Sequence, residues 1–170
     1  MFSVRRWCAQ LGLALALGSG AWPSVGAVEV GEQAPDVAWH QGERQAQLKD
    51  WSGRFVLVDF WATWCAPCRV SLPWLAEMQQ KYAAAGLRVL PINLDKSASG
   101  VAAFLQRHAP LLPLLSDPSG QSAQAFDVKA MPSSYLISPT GQVLLVHRGF
   151  TTDGGPALEA LIRMQLGMPQ

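Results

Sequence analysis

The segment Trp64-Cys65-Ala66-Pro67-Cys68 constrains this chain more than any other. Two cysteines separated by two residues can close a small disulfide ring or hold a metal ion. Residues 55–61, just before the segment, are an apolar run that carries one acid, Asp59, and they predict a buried central strand. Residues 69–85, just after it, have the composition of a helix. Cys65 is therefore expected at a strand-to-helix junction, where the unpaired N–H groups and the positive end of the helix dipole stabilise a thiolate.

The first 27 residues have the three parts of a secretory signal. Arg5 and Arg6 supply the positive charge, residues 11–17 the apolar region, and Val25-Gly26-Ala27 the small residues of a cleavage site. We expect cleavage after Ala27, which leaves residues 28–170 as one exported, periplasmic domain. An uncleaved membrane anchor is the alternative, although the apolar run is shorter than the ~20 residues that a membrane span needs.

The cysteine count favours catalysis over structure. The chain has three cysteines, and cleavage would remove Cys8 and leave Cys65 and Cys68 as the only thiols. A bridge this local closes too small a loop to stabilise much, so an exported protein with one such pair is expected to use it in redox chemistry. Zinc would need four ligands, and no second pair supplies them. Copper(I) needs fewer soft ligands, so a copper chaperone with Met131 as a further ligand is an alternative.

The composition excludes some partners. A net charge of +1 and a charged fraction of 15% give no reason to expect a nucleic-acid or anionic-membrane partner. A length of 170 residues suits one domain with a full core.

The periodicity along the chain predicts strands alternating with helices, followed by a hairpin and a last helix, which indicates an α/β fold with a mixed sheet. Pro73 is expected to kink the first helix, and Pro91 to make the ladder of its strand irregular. Strands are predicted at residues 37–39, 55–61, 87–94, 111–115, 135–137 and 143–146, a single turn at 48–51, and helices at 67–85, 101–109, 122–126 and about 158–166.

Two stretches carry a family resemblance. Residues 59–68 resemble the thioredoxin active-site segment, and Met131-Pro132 with residues 133–137 resembles the cis-proline loop and the strand after it. The export signal, the opening at residues 31–36 and the hairpin at residues 138–141 are more similar to the TlpA/ResA-like branch of thiol-disulfide oxidoreductases. The resemblance implies a thioredoxin-like fold, a mixed sheet with helices on both faces.

The resemblance also implies roles for single residues. Cys65 would be the exposed nucleophile, and the more buried Cys68 would resolve the mixed disulfide. Asp59 would exchange a proton with Cys68, because a buried carboxylate has a raised pKa. Trp64 would shape the surface around Cys65. The Met131 backbone, beside a cis Pro132, would pair with an extended substrate segment.

The chain departs from the pattern of the families it resembles at three positions. Ser71 stands where TlpA/ResA-like proteins commonly have a glutamate, and Asp59 where they often have asparagine. Pro91 occupies the position at which thioredoxins tend to have a lysine near the acid. We therefore expect Asp59 to lack a cationic neighbour.

The direction of electron flow follows from the two residues between the cysteines. Neither Ala66 nor Pro67 is basic, so the Cys65 thiolate gains little extra stabilisation and the couple is less oxidising. We predict a monomeric disulfide reductase that needs no cofactor, acts on exported proteins with disulfides, and is kept reduced by a membrane electron donor of the DsbD type. A disulfide-forming oxidase is the alternative.

Overall fold

A computed structural model of the protein describes residues 28–169. The predicted signal at residues 1–27, including Cys8, lies outside the described residues. Within residues 28–169, no helix is long and apolar enough to cross a membrane.

A seven-stranded sheet forms the centre of the domain, with the strand order β2-β1-β5-β4-β3-β6-β7. β3 pairs in parallel with β4 on one side and antiparallel with β6 on the other, which confirms the predicted mixed sheet. The strands are β1 (Ala38–Gln41), β2 (Arg44–Gln47), β3 (Phe55–Trp61), β4 (Leu87–Asn93), β5 (Leu115–Ser116), β6 (Ser133–Ile137) and β7 (Val143–Arg148).

Within the described residues, four α-helices and two short 3-10 turns lie between or after the strands. The predicted turn at Leu48–Trp51 is confirmed, and a second turn, Thr152–Gly154, leads into the last helix. The first helix ends at Tyr82, earlier than predicted, because residues 83–86 form tight turns that close at Gly86, which has a φ of +88°. The helices are α1 (Cys68–Tyr82), α2 (Val101–His108), α3 (Gln121–Ala125) and α4 (Gly155–Gln165).

Successive side chains of β3 point to opposite faces of the sheet and pack in two separate hydrophobic cores. Leu57 and Trp61 pack on one face of the sheet with the apolar sides of α1, α2 and α4. Val56, Val58 and Phe60 pack on the other face with the N-terminal strands and the residues around α3. Both faces of the sheet are therefore covered, as predicted. Asp59 shares the first face with Leu57 and Trp61.

The predicted strand at residues 111–115 is wrong for most of its length. Only Leu115 and Ser116 pair with β4, and they do so at Ile92 and Asn93. The apolar run before them turns at Leu112, whose N–H donates to the Ala109 carbonyl, and Leu111 is 64% exposed. The polar strand β2, which pairs with β1 at the edge of the sheet, was not predicted because its sequence has no apolar alternation.

The irregular ladder expected at Pro91 is also wrong. The register between β3 and β4 runs without a shift from Phe55 opposite Leu87 to Trp61 opposite Asn93, with Asp59 opposite Pro91. The opposite edge of β4 pairs with β5 only after Pro91, so that edge carries no ladder at the proline.

Candidate active site

The two cysteines lie at the junction predicted for them. β3 ends at Trp61, a short loop follows, and α1 begins at Cys68, with Pro67 as its N-cap residue. Cys65 and Cys68 form a disulfide, with their Cα atoms 5.3 Å apart. The Cys68 N–H donates a hydrogen bond of 3.3 Å to the sulfur of Cys65. The helix N-terminus thus provides a donor that would also stabilise a Cys65 thiolate.

The two sulfurs differ in their access to substrate. Cys65 is 4% exposed and Cys68 is 0% exposed, so the expectation of an exposed Cys65 is wrong at the level of the whole residue, although the predicted order of burial is confirmed. Cys65 nevertheless borders a cavity of about 490 Å³, whereas Cys68 is not among the residues of its wall. A substrate sulfur in this cavity would meet Cys65 first.

The wall of this cavity is mainly apolar. Trp64, predicted to shape the surface around Cys65, is 68% exposed and forms one side. The loop before β6 forms another side and contributes Lys129 and Met131. Lys129 makes an ion pair with Asp127, so its charge is matched. The complete wall consists of Trp64, Cys65, Ala66, Pro67, Leu94, Ala123, Val128, Lys129, Ala130 and Met131.

The peptide bond between Met131 and Pro132 is cis, as the resemblance implied. Met131 lines the cavity together with Cys65, whereas Pro132 is buried behind it. Ser133 anchors the loop, because its hydroxyl donates to the Ala130 carbonyl at 2.8 Å. The structure therefore brings Met131 and Cys65 to one cavity, as predicted.

Asp59 is fully buried in the middle of the sheet. The hydroxyl of Ser134, directly opposite on β6, donates a 2.6 Å hydrogen bond to Oδ2 of Asp59, while Oδ1 has no partner. On the other side Asp59 faces Pro91, which carries no charge. Burial raises the pKa of Asp59 to about 7, and the bond from Ser134 lowers it only in part. A carboxyl with a pKa of about 7 can both accept and release a proton near neutral pH.

A second polar network fixes the loop that carries Trp64 and Cys65. Asp95 accepts two hydrogen bonds from Thr63, one from its N–H and one from its hydroxyl, each 2.8 Å long. Asn93, at the end of β4, donates to the same carboxylate at 2.7 Å. Local sequence spacing gives no sign of this network, because only the pairing of β3 with β4 brings residues 63 and 95 together.

Among the described residues, neither Ser71 nor His147 forms a hydrogen bond with a cysteine side chain. The buried hydroxyl of Ser71 donates to the Cys68 carbonyl at 3.3 Å, so it serves the helix backbone. His147 lies on β7 opposite Ser134, two strands away from Asp59 in the sheet. No group of three or more His, Cys, Asp or Glu side chains suited to a metal ion occurs within residues 28–169.

Comparison with known proteins identifies the family of this chain. The model of the AhpC/TSA family matches residues 30–146. The chain belongs to this family. It is also 32% identical over 162 residues to the thioredoxin-like protein YneN of Bacillus subtilis, an alignment that covers 88% of this chain and 93% of YneN.

Other relatives narrow the chemistry. The thiol-disulfide oxidoreductase ResA of Bacillus subtilis is 30% identical over 127 residues, which cover 74% of this chain and 71% of ResA. A crystal structure described as the thiol:disulfide interchange protein DsbE of Chlorobium tepidum superposes with a TM-score of 0.79 and 40% identity, covering 83% of this chain and all of the other. The fold is thioredoxin-like, and the chain is a thiol-disulfide oxidoreductase with the cysteine pair Cys65 and Cys68.

Proposed function

We propose that this protein is a disulfide reductase for exported proteins, with Cys65 as the nucleophile and Cys68 as the resolving thiol. The observation that carries the proposal is the asymmetry of the pair: Cys65 borders the cavity and receives an N–H hydrogen bond, whereas Cys68 is fully enclosed. An accessible, stabilised thiolate beside an inaccessible thiol is the arrangement that a two-step thiol exchange needs.

In the first step, the Cys65 thiolate attacks one sulfur of a substrate disulfide. A mixed disulfide forms, and the other substrate sulfur leaves as a thiolate. In the second step, Cys68 gives its proton to Asp59 and attacks Cys65, which releases the second substrate thiolate and forms the Cys65–Cys68 disulfide. Two electrons pass from the protein's dithiol to the substrate.

The substrate segment would lie along the loop at Met131 and Pro132. An extended chain there would pair with the backbone of residue 131 and place an apolar side chain against Trp64. The mainly apolar wall supports this assignment. An unfolded or extended client fits such a surface better than a compact folded one.

The surroundings of Cys65 support reduction over oxidation. Strong oxidants owe their potential to a stabilised thiolate. Here the donor to the Cys65 sulfur is a backbone N–H, residues 66 and 67 are uncharged, and the charge of Lys129 is paired with Asp127. The reduced form is thus stabilised only modestly.

The cellular setting is proposed from the N-terminal segment and the structural relatives. We take residues 1–27 as a cleaved signal and residues 28–170 as a monomeric periplasmic domain, reduced again by a donor of the DsbD type. An exposed lipoprotein thioredoxin of Streptococcus pneumoniae, with 26% identity and a TM-score of 0.60 over 76% of this chain, supports a place outside the cytoplasm, as does the DsbE structure.

Covalent trapping tests the assignment. The Cys68→Ser variant, incubated with unfolded exported proteins that contain disulfides, should accumulate adducts that dithiothreitol releases, because the mixed disulfide on Cys65 cannot be resolved. The matched Cys65→Ser variant should form none. Equal trapping by both variants, or trapping by neither, would refute the proposed roles.

A further inference from the structure

Asp59 and Ser134 form an isolated polar pair inside the sheet. They are directly opposite in the antiparallel pairing of β3 with β6, so their side chains lie on the same face. The exposed fractions are 0% for Asp59 and 4% for Ser134, and the hydroxyl donates to Oδ2 at 2.6 Å. Within residues 28–169, the Ser134 hydroxyl is the one hydrogen-bond donor to the buried acid.

The two carboxylate oxygens of Asp59 are therefore not equivalent. Oδ2 is occupied by Ser134, and Oδ1 is buried without a partner. The neighbour on β4 is Pro91, which has no side-chain donor. A buried oxygen without a hydrogen bond is costly in its charged form, which leaves Oδ1 able to take up a proton.

The side of the sheet that Asp59 faces holds the cysteines. Leu57 and Trp61, two residues to either side of Asp59, pack in the same cluster as Cys65 and Cys68. Among the described residues, the other titratable groups on this side form no hydrogen bond with Asp59. Arg69 of α1 and His108 of α2 both lie against Phe104. Tyr82, at the far end of α1, donates its hydroxyl to Glu159 at 2.5 Å, and His147 lies on β7 beyond Ser134.

We propose that Ser134 is a positioning residue: by donating to Oδ2, it fixes the Asp59 carboxyl and leaves Oδ1 as the oxygen that exchanges a proton with Cys68. This inference rests on the proposed function, in which Asp59 is the base for Cys68. Ser134 acts through Asp59 and does not touch the substrate.

Resolution of the mixed disulfide by Cys68 conserves both protons and electrons. In the mixed disulfide, the proton of the Cys68 thiol moves to Oδ1 of the Asp59 carboxylate. The Cys68 sulfur then bonds to the Cys65 sulfur, the bond from Cys65 to the substrate breaks, and its electron pair leaves on the substrate sulfur. The proton on Oδ1 returns to Cys68 when an electron donor regenerates the dithiol.

The titration of Asp59 agrees with this role. A hydrogen bond donated to a carboxylate stabilises its charged form, so Ser134 opposes the effect of burial on the pKa of Asp59. Loss of the hydroxyl should move this pKa upward from about 7. At neutral pH, less of the carboxylate would then be ionised and able to accept the Cys68 proton.

The test measures the two chemical steps separately in the full chain. A peptide disulfide with a fluorescent group on each half reports mixed-disulfide formation and its resolution across pH 5–9. In Ser134→Ala, we expect a rise in the pH midpoint of resolution, which is the pH at which the rate of resolution is half its maximum. The rate of the first step should stay the same. Each unit of rise in the midpoint makes resolution roughly tenfold slower on the acidic side.

Conservative variants separate the hydroxyl from the shape of the site. Ser134→Thr keeps the donor and should retain the wild-type midpoint. Ser134→Val has the branched shape of threonine without the hydroxyl donor, and it should behave as Ser134→Ala does. This Thr and Val pair also replaces the alanine variant if alanine at position 134 impairs folding.

A second buried serine supplies the matched control. The hydroxyl of Ser122 donates to Oδ2 of Asp117 at 2.5 Å, the same kind of bond in the other half of the fold. Ser122→Ala should lower stability and leave the resolution midpoint unchanged. A shift equal to that of Ser134→Ala would show that the midpoint only follows stability, and this would overturn the inference.

Asp59→Asn distinguishes failure of the inference from failure of the proposed function. If Asp59→Asn abolishes the pH midpoint of resolution while Ser134→Ala and Ser134→Val match the wild type, Asp59 remains the base and the role of Ser134 is refuted. If Asp59→Asn keeps the wild-type profile, Asp59 is not the base, and both are refuted.

Discussion

The hydroxyl of Ser134 donates to one oxygen of the Asp59 carboxyl at 2.6 Å, and the other oxygen has no partner. Among the residues that the structure describes, this is the one hydrogen bond to the Asp59 carboxyl, since the neighbour on the other side is Pro91. A buried carboxyl with so little support is costly to ionise. Its retention beside a redox-active cysteine pair is consistent with a proton-exchanging role.

The burial of Asp59 should make the folded protein less stable as the pH rises. Its pKa rises on folding from 3.8 to about 7, so between these values the folded state binds more protons than the unfolded state and stability falls. A difference of this size corresponds to roughly 4 kcal/mol. Asp59→Asn should remove this slope and be more stable than the wild type above pH 7, as measured by urea unfolding of the oxidised proteins at pH 5 and 8.

Asp117 should show the opposite dependence and is an internal control. Burial alone would raise the pKa of Asp117, but hydrogen bonds from Ser119, Ser122 and the Gly120 N–H outweigh it and hold the pKa below its ordinary value. The stabilisation is present above the ordinary pKa and is lost as the pH falls through the lowered one. Asp117→Asn should therefore be less stable than the wild type at pH 7 and approach it in acid. A constant difference at all pH values would contradict this assignment.

Most of the fold could be predicted from the sequence because its central elements have clear signals. The apolar run of β3, the cysteine pair and the Met131-Pro132 segment each fix one part of the site. Leu111 and the residues after it misled the prediction, because an apolar run that turns in a loop has the same composition as a strand. The polar strand β2 gave no signal at all.

The contacts of Asp59 could not be predicted from the sequence for a different reason. Asp59 and Ser134 are far apart along the chain and meet only through the register of β3 with β6. The same holds for Thr63 and Asp95, which meet through the pairing of β3 with β4. Residue type and local spacing do not define such contacts. The alternation along β6 shows only that Ser134 and Leu136 lie on the same face of the sheet.

Trp64 should contribute to substrate binding more than to stability. It forms one side of the cavity beside Cys65 and is 68% exposed. Trp64→Ala should raise KM for a peptide disulfide several-fold and change the unfolding free energy by less than about 0.5 kcal/mol. Leu111→Ala, which truncates another exposed apolar side chain away from this cavity, is the control and should leave KM unchanged. Equal effects of the two variants would argue against a binding role for Trp64.

Asp95 should hold the active-site loop in place. It accepts hydrogen bonds from the N–H and hydroxyl of Thr63, next to Trp64. Asp95→Ala should lower the protection of the Thr63 amide against hydrogen exchange and reduce kcat for disulfide reduction several-fold. Asp50→Ala removes a similar carboxylate bond, to the Gln47 N–H, in a turn that does not line the cavity beside Cys65. If Asp50→Ala reduces kcat as much, the loop contact has no special role.

The reduction potential of the Cys65–Cys68 couple tests the central claim most directly. It is measured by equilibrating the protein with redox buffers of known potential and counting free thiols at each point. A reductase with a modestly stabilised thiolate should lie near the potential of thioredoxin, about −270 mV. A value near that of the strong oxidant DsbA, about −120 mV, would contradict the account and identify the protein as a disulfide-forming oxidase.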